Sequence, residues 1–156
     1  MDPASAEAIL HWQYPHPYSF YNLALENEDD TLQEMLDGSQ YAVRDTAGSL
    51  VGFFAFGPTA QVPGGHRAGA YRDDRYLDIG LGMSPDLTSQ GKGTEFVQAG
   101  IDFAATTLNA PALRLSVATF NQRAIRVYER TGFLPGIRFH SLLLSGEAEF
   151  LLMTRG

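Results

Sequence analysis

Between residues 76 and 133 the apolar positions change period three times. Leu77, Ile79, Leu81 and Met83 alternate with Asp78, Gly80 and Gly82, a period of two that predicts a strand over 76–83. From Gly93 the period lengthens. Val97, Ile101, Ala104, Ala105 and Leu108 fall on one helical stripe, which predicts a long helix to Asn109 with Pro111 beyond its end. Alternation returns at Leu113, Leu115 and Val117, predicting a buried strand over 113–120. A short helix over Ala124–Arg130 follows, with Asn121 suited to its N-cap and Gly132-Phe133 closing it.

The same reading extends outward. Ala8, Ile9 and Trp12 predict a helix over 4–12, broken by Pro15 and Pro17. A second helix is expected over Tyr18–Leu25 and a third over Asp30–Leu36, stopped at Gly38. Tyr41–Arg44 and Ser49–Phe56 read as strands of a hairpin turned by Asp45-Thr46-Ala47-Gly48. Thr59–Arg75 reads as an irregular loop beside a cleft. Strands near 136–144 and 148–154 meet at Ser145-Gly146-Glu147. Trp12, Tyr14, Tyr18, Phe20 and Tyr21 are expected to be mostly core, with one or two left as walls of a pocket.

Composition narrows the classes. With 156 residues the chain is expected to form one domain, 1–156. A net charge of −7 argues against a nucleic-acid partner and suits a cationic substrate. The absence of cysteine excludes a thiol nucleophile. The four histidines show no paired metal-ligand spacing, so no metal is expected. There is no apolar run long enough to span a membrane, and the start lacks a basic segment followed by an apolar one. A cytoplasmic location is the expectation.

Candidate chemistry gathers at the glycines. The face carrying Asp78, Gly80 and Gly82 is nearly bare backbone, which would let a ligand lie flat on the strand. The turn Pro85–Thr94 places Gly91 and Gly93 at a helix start, where unpartnered amides favour phosphate. Neither glycine pair completes a dinucleotide fingerprint, and Asp86 stands where a P-loop needs its first glycine.

The turn Gln90-Gly91-Lys92-Gly93, followed by Asn121-Gln122-Arg123-Ala124-Ile125-Arg126-Val127-Tyr128-Glu129-Arg130-Thr131-Gly132-Phe133, resembles the core of the GNAT N-acetyltransferase superfamily. The resemblance implies an α+β, three-layer fold: a mixed, mostly antiparallel twisted sheet with a splayed parallel strand pair, flanked by helices. It implies acetyl-CoA as co-substrate and a small-molecule amine as acceptor. The pantetheine arm would lie along a bulged strand at Leu81, Gly82 and Met83. Amides from Thr88 through Ser89, Gln90, Gly91, Lys92 and Gly93 to Thr94 would hold pyrophosphate. Asn121 would bond the arm, and Tyr128 would protonate the departing thiolate. Asp78 is the first candidate for the base that frees the amine, and His66 the second. Tyr21 and His66 are candidates for the acceptor pocket. Arg123, Arg126 and Arg130 are expected to face water rather than the 3′-phosphate of CoA.

Two departures stand out. Thr88 occupies a position where the family often has Gln or Arg, and the family's usual first strand is short or missing. Its absence would leave the strand at 41–44 as a sheet edge open to a homodimer partner. A non-catalytic acyl-CoA sensor and a peptide or protein N-terminal acetyltransferase stay open as alternatives.

Overall fold

The computed structural model describes residues 1–23 and 27–156. Six strands form one sheet: β1 (Gln40–Arg44), β2 (Leu50–Phe56), β3 (Leu77–Met83), β4 (Leu113–Ala118), β5 (Leu134–Leu143) and β6 (Gly146–Arg155). Their spatial order is β1-β2-β3-β4-β6-β5. Every neighbouring pair is antiparallel except β3 and β4. The helices are α1 (Pro3–Leu10), α2 (Glu28–Met35), α3 (Pro63–Arg67), α4 (Gly93–Thr107) and α5 (Gln122–Arg130). Among the described residues none is long and apolar enough to cross a membrane.

Period-two alternation sorts the strands into two faces. Phe54, Phe56, Ile79, Leu113, Leu115, Val117, Leu151 and Met153 face one way and pack on Phe96, Val97, Ile101 and Ala104 of α4. This is the main core, and the stripe predicted for the long helix is its lid. The other face carries Ala118, Phe150 and Leu152, joined by Phe20, Tyr21, Val62 and Tyr71 from the connections. Next to them α1 and α2 bury Ala6, Ile9 and Met35 against Leu50 and Phe53. Asp2 caps α1, accepting the Ser5 amide at 3.0 Å, and Arg44 of β1 reaches across to the Ser5 hydroxyl at 2.7 Å.

Three expectations change. Tyr18–Tyr21 is a single 3-10 turn, and the rest of the helix expected to Leu25 runs into residues 24–26, outside the described residues. The loop expected over 59–75 contains the short helix α3, because Gly64 lets this segment sit directly on β5. A Cβ there would stand 2.1 Å from the His140 carbonyl, and the Gly64 amide donates to Ser141 Oγ at 2.9 Å. The strand β3 carries no bulge: its register with β2 runs unbroken from Ile79↔Phe56 to Met83↔Gly52. In the described residues β1 stands at one edge of the sheet.

One polar contact ties the parallel pair. Asp78 and Arg114 are register partners on the same face. Arg114 donates to the two Asp78 oxygens at 2.7 and 2.8 Å, with both side chains about 5% exposed or less. The carboxylate pushes the guanidinium pKa up, and Tyr71 lies under it with its ring centroid 5.1 Å away.

Replacing Arg114 by Ala strands a buried carboxylate and is expected to cost about 3–5 kcal/mol in urea unfolding. Gly64→Ala is expected to cost about 1–3 kcal/mol in the same measurement, because β5 must move to admit the methyl group.

Candidate active site

The site starts where the parallel pair stops. β3 and β4 are paired at Leu77–Leu113 and Asp78–Arg114 and nowhere further along. Beyond that point each strand keeps its outer partner. β3 stays with β2 to Met83, and β4 stays with β6 to Ala118. A wedge opens between them.

The backbone groups facing that wedge follow from the ladder. The Ser84 amide donates to the Val51 carbonyl at 2.9 Å. Hydrogen-bonded and non-bonded pairs alternate along an antiparallel ladder, so Gly82 and Gly80 bond β2 while Leu81 and Met83 turn their backbone to the gap. Tyr14 Oη donates to the Met83 carbonyl at 2.7 Å. The Leu81 and Met83 amides and the Leu81 carbonyl are left for a ligand.

The far end of the wedge meets the start of α4. Lys92, at its N-cap, provides no side-chain cap, and the amides of Gly93, Thr94 and Glu95 have no acceptor among the described residues. The turn before it is closed by its own side chains. Thr88 Oγ1 donates to the Pro85 carbonyl at 2.9 Å and Gln90 Nε2 to the Asp86 carbonyl at 2.7 Å. Backbone at Ser89 and Gly91 is left-handed, with φ of 65° and 74°. Glycine takes that conformation without steric cost, and the turn thereby delivers its amides toward the helix axis. Thr88, Ser89, Gly91, Gly93 and Thr94 line the cavity, while the Gln90 and Lys92 side chains are exposed outside it. Arg123 does not face water as expected: it donates to Ser89 Oγ and lies 4.3 Å over the Tyr18 ring.

The wedge is part of a cavity of about 630 Å³ lined from both faces of the sheet, by Phe96 and Val97 on one and Trp12 and Phe53 on the other. Tyr128 lines it from α5, packed edge-on to Phe133 at 5.9 Å. Its hydroxyl makes no hydrogen bond among the described residues. Burial, with a smaller contribution from Tyr21, pushes its pKa well above the usual 10. Asn121 caps α5 as expected, accepting the Ala124 amide at 3.2 Å. Its Nδ2 donates to Tyr21 Oη at 3.3 Å, which leaves it one N–H. Tyr21 lines the cavity, and burial raises its pKa too.

The glycine face is not the open surface expected from the sequence. The Phe53 ring covers Gly82, where a Cβ would stand 2.4 Å from Cε1, and Ala60 sits over Gly80. Asp78 is not poised as a base. Arg114 holds both of its oxygens, and Gln61 Nε2 donates to Oδ2 at 2.8 Å. His66 is exposed on α3, against Tyr71, and does not line the cavity. Nothing along the chain marks Gln61, the bond from Tyr14 to Met83, or the tie between Arg123 and Ser89. Tyr14 stood in the aromatic-rich stretch, but a glutamine in a loop carries no periodic signal.

The profile of the acetyltransferase (GNAT) family matches residues 5–133. A mycothiol acetyltransferase of Propionibacterium freudenreichii subsp. shermanii is 32% identical over 119 residues, which are 76% of this chain and 35% of that protein. The chain thus spans about a third of that relative's length. Among solved structures, a chimera of the Vibrio cholerae spermidine N-acetyltransferase SpeG and hSSAT superposes with a TM-score of 0.71 at 16% identity, covering 99% of this chain and 92% of that one. The dodecameric spermidine N-acetyltransferase of Vibrio cholerae in an intermediate state superposes with a TM-score of 0.63 at 16% identity, covering 99% and 89%. These two share the fold: a mixed, mostly antiparallel sheet with one parallel pair, flanked by helices. The family profile spans both the parted strands and the helix that carries Tyr128, and the chain belongs to the acetyltransferase (GNAT) family.

Proposed function

We propose that this chain transfers the acetyl group of acetyl-CoA to a primary amine of a small, cationic molecule, with both substrates held at once. The observation that carries this reading is the set of strand amides left unpaired where β3 leaves β4, leading to the uncapped start of α4. Those groups fit a phosphorylated, amide-bearing arm: donors and an acceptor along its length, and a positive helix end for its phosphates. Acetyl-CoA, when bound, supplies an acetyl group already activated as a thioester.

The chain's own residues do the rest. Amides of Gly93 and Thr94, with the turn from Thr88 to Lys92, bind pyrophosphate. The Leu81 and Met83 amides orient the pantetheine arm and donate toward the acetyl carbonyl. Asn121 offers its remaining N–H to the same arm. Tyr128 holds a proton at Oη for the departing sulfur, and its raised pKa keeps that proton in place through the neutral range. Tyr21 bounds the acceptor side. The net charge of −7 favours an approaching cation. The spermidine acetyltransferases of the same fold act, by their names, on a small polyamine.

Calorimetric titration with acetyl-CoA is expected to show binding, and no heat at millimolar ligand overturns the reading. Tyr128→Phe is expected to lower kcat by about 100-fold with acetyl-CoA affinity kept. Wild-type kcat should show no alkaline limb from Tyr128 below about pH 10, since the proton is lost only above that value. Binding without turnover of any amine would make the protein an acyl-CoA sensor.

A further inference from the structure

The side of the cavity opposite α4 carries information about the acceptor. Its walls are aromatic: Trp12, Tyr14, Tyr21 and Phe53 line it, with Trp12 tilted against Phe53 at 6.4 Å. The two tyrosine hydroxyls are already engaged, one on the Met83 carbonyl and the other with Asn121. These four rings offer faces and little new hydrogen bonding, and the polar lining beside them comes from Thr31, Gln40, Thr59 and Gln61.

Charge in the cavity is segregated. The guanidinium groups that line it, Arg123, Arg126 and Arg130, all stand on α5, and Arg123 is tied to Ser89 in the turn before α4. Arg114, beneath the aromatic side, is spent on Asp78. An acceptor with a carboxylate beside its amine finds no free cation among the described residues of that side. Among the described lining residues the carboxylate is Glu34 of α2, exposed at the rim. That is one anion, where a polyamine calls for a row of them.

Of these polar groups, Gln61 is the one held by the buried ion pair. Its Nε2 donates to Asp78 Oδ2 at 2.8 Å. Asp78 also accepts two bonds from Arg114, so only the nitrogen end of the amide can face it. The ion pair therefore fixes which way round the amide sits, and Oε1 remains without a partner among the described residues on a cavity-lining side chain. An uncharged, fixed acceptor suits the N–H of a neutral amine, the form that can attack a thioester.

We infer that the acceptor is a primary monoamine on an aromatic or apolar body, its N–H donated to Gln61 Oε1, with Asp78 and Arg114 as positioning residues for Gln61. This rests on the acetyl-transfer reading. The test compares tyramine, L-tyrosine and spermidine as acceptors with acetyl-CoA, alongside calorimetry of acetyl-CoA alone. Tyramine is expected to exceed both others in kcat/KM by about tenfold or more. Gln61→Met is expected to raise KM for tyramine by about tenfold with kcat little changed, acetyl-CoA affinity kept and the melting temperature near that of the native chain. Asp78→Asn, which lets the Gln61 amide turn over, should raise the same KM. Acetyl-CoA binding with spermidine or L-tyrosine preferred, no acetylation of tyramine, or an unchanged KM in Gln61→Met overturns this inference and leaves the acetyl-transfer reading standing. Loss of acetyl-CoA binding in the native chain overturns both.

Discussion

Everything at the site depends on the two residue pairs that join β3 to β4. Backbone amides in a sheet interior are normally consumed by the neighbouring strand, and leaving one buried without a partner is costly. Here the sheet holds together because each strand of the pair is fully laddered on its outer side, β3 to β2 and β4 to β6. The inner sides can then part, and their polar groups face a cavity rather than apolar packing. Had the parallel pairing run on to Met83, the Leu81 and Met83 amides would be spent and no room would remain.

The closed end of the wedge is as necessary as the open one. Asp78 and Arg114 face each other at the last paired position, enclosed by Tyr71, Gln61 and the backbone of Asp73. A buried ion pair of this kind contributes little net stability but penalises any slip in register, since a one-residue shift would separate the charges. Tyr71 extends the network, accepting the Val62 amide at 2.8 Å and pairing with Ser116 at 2.7 Å. Segments that line the acceptor side are thereby anchored to the strand that carries the parting.

Much of this was legible in the residues. Period-two and helical stripes located β3, α4 and β4 closely, because burial on one face imposes those periods whatever the function, and the cap and closing glycine located α5. Gly91 and Gly93 marked the turn, and Asn121 marked a cap that is present. What failed had a common cause. Gly80 and Gly82 suggest bare backbone along the chain, but Phe53 fills the space of a Gly82 side chain and Ala60 packs over Gly80. Asp78 suggests a base along the chain because its partner, Arg114, lies 36 residues away on another strand. Gly64-Gly65 looked like loop chemistry, yet Gly64 is a point of contact with β5. Such pairings are made in three dimensions and leave no period along the chain.

The parting of β3 and β4 pierces the sheet, so its two layers of helices are not sealed from each other. Ligands arriving from opposite sides would meet at Leu81 without having to pass one another. On the proposed reading, neither would need to leave before the other entered. A sheet, ordinarily a barrier between two compartments, serves in this fold as the doorway between them.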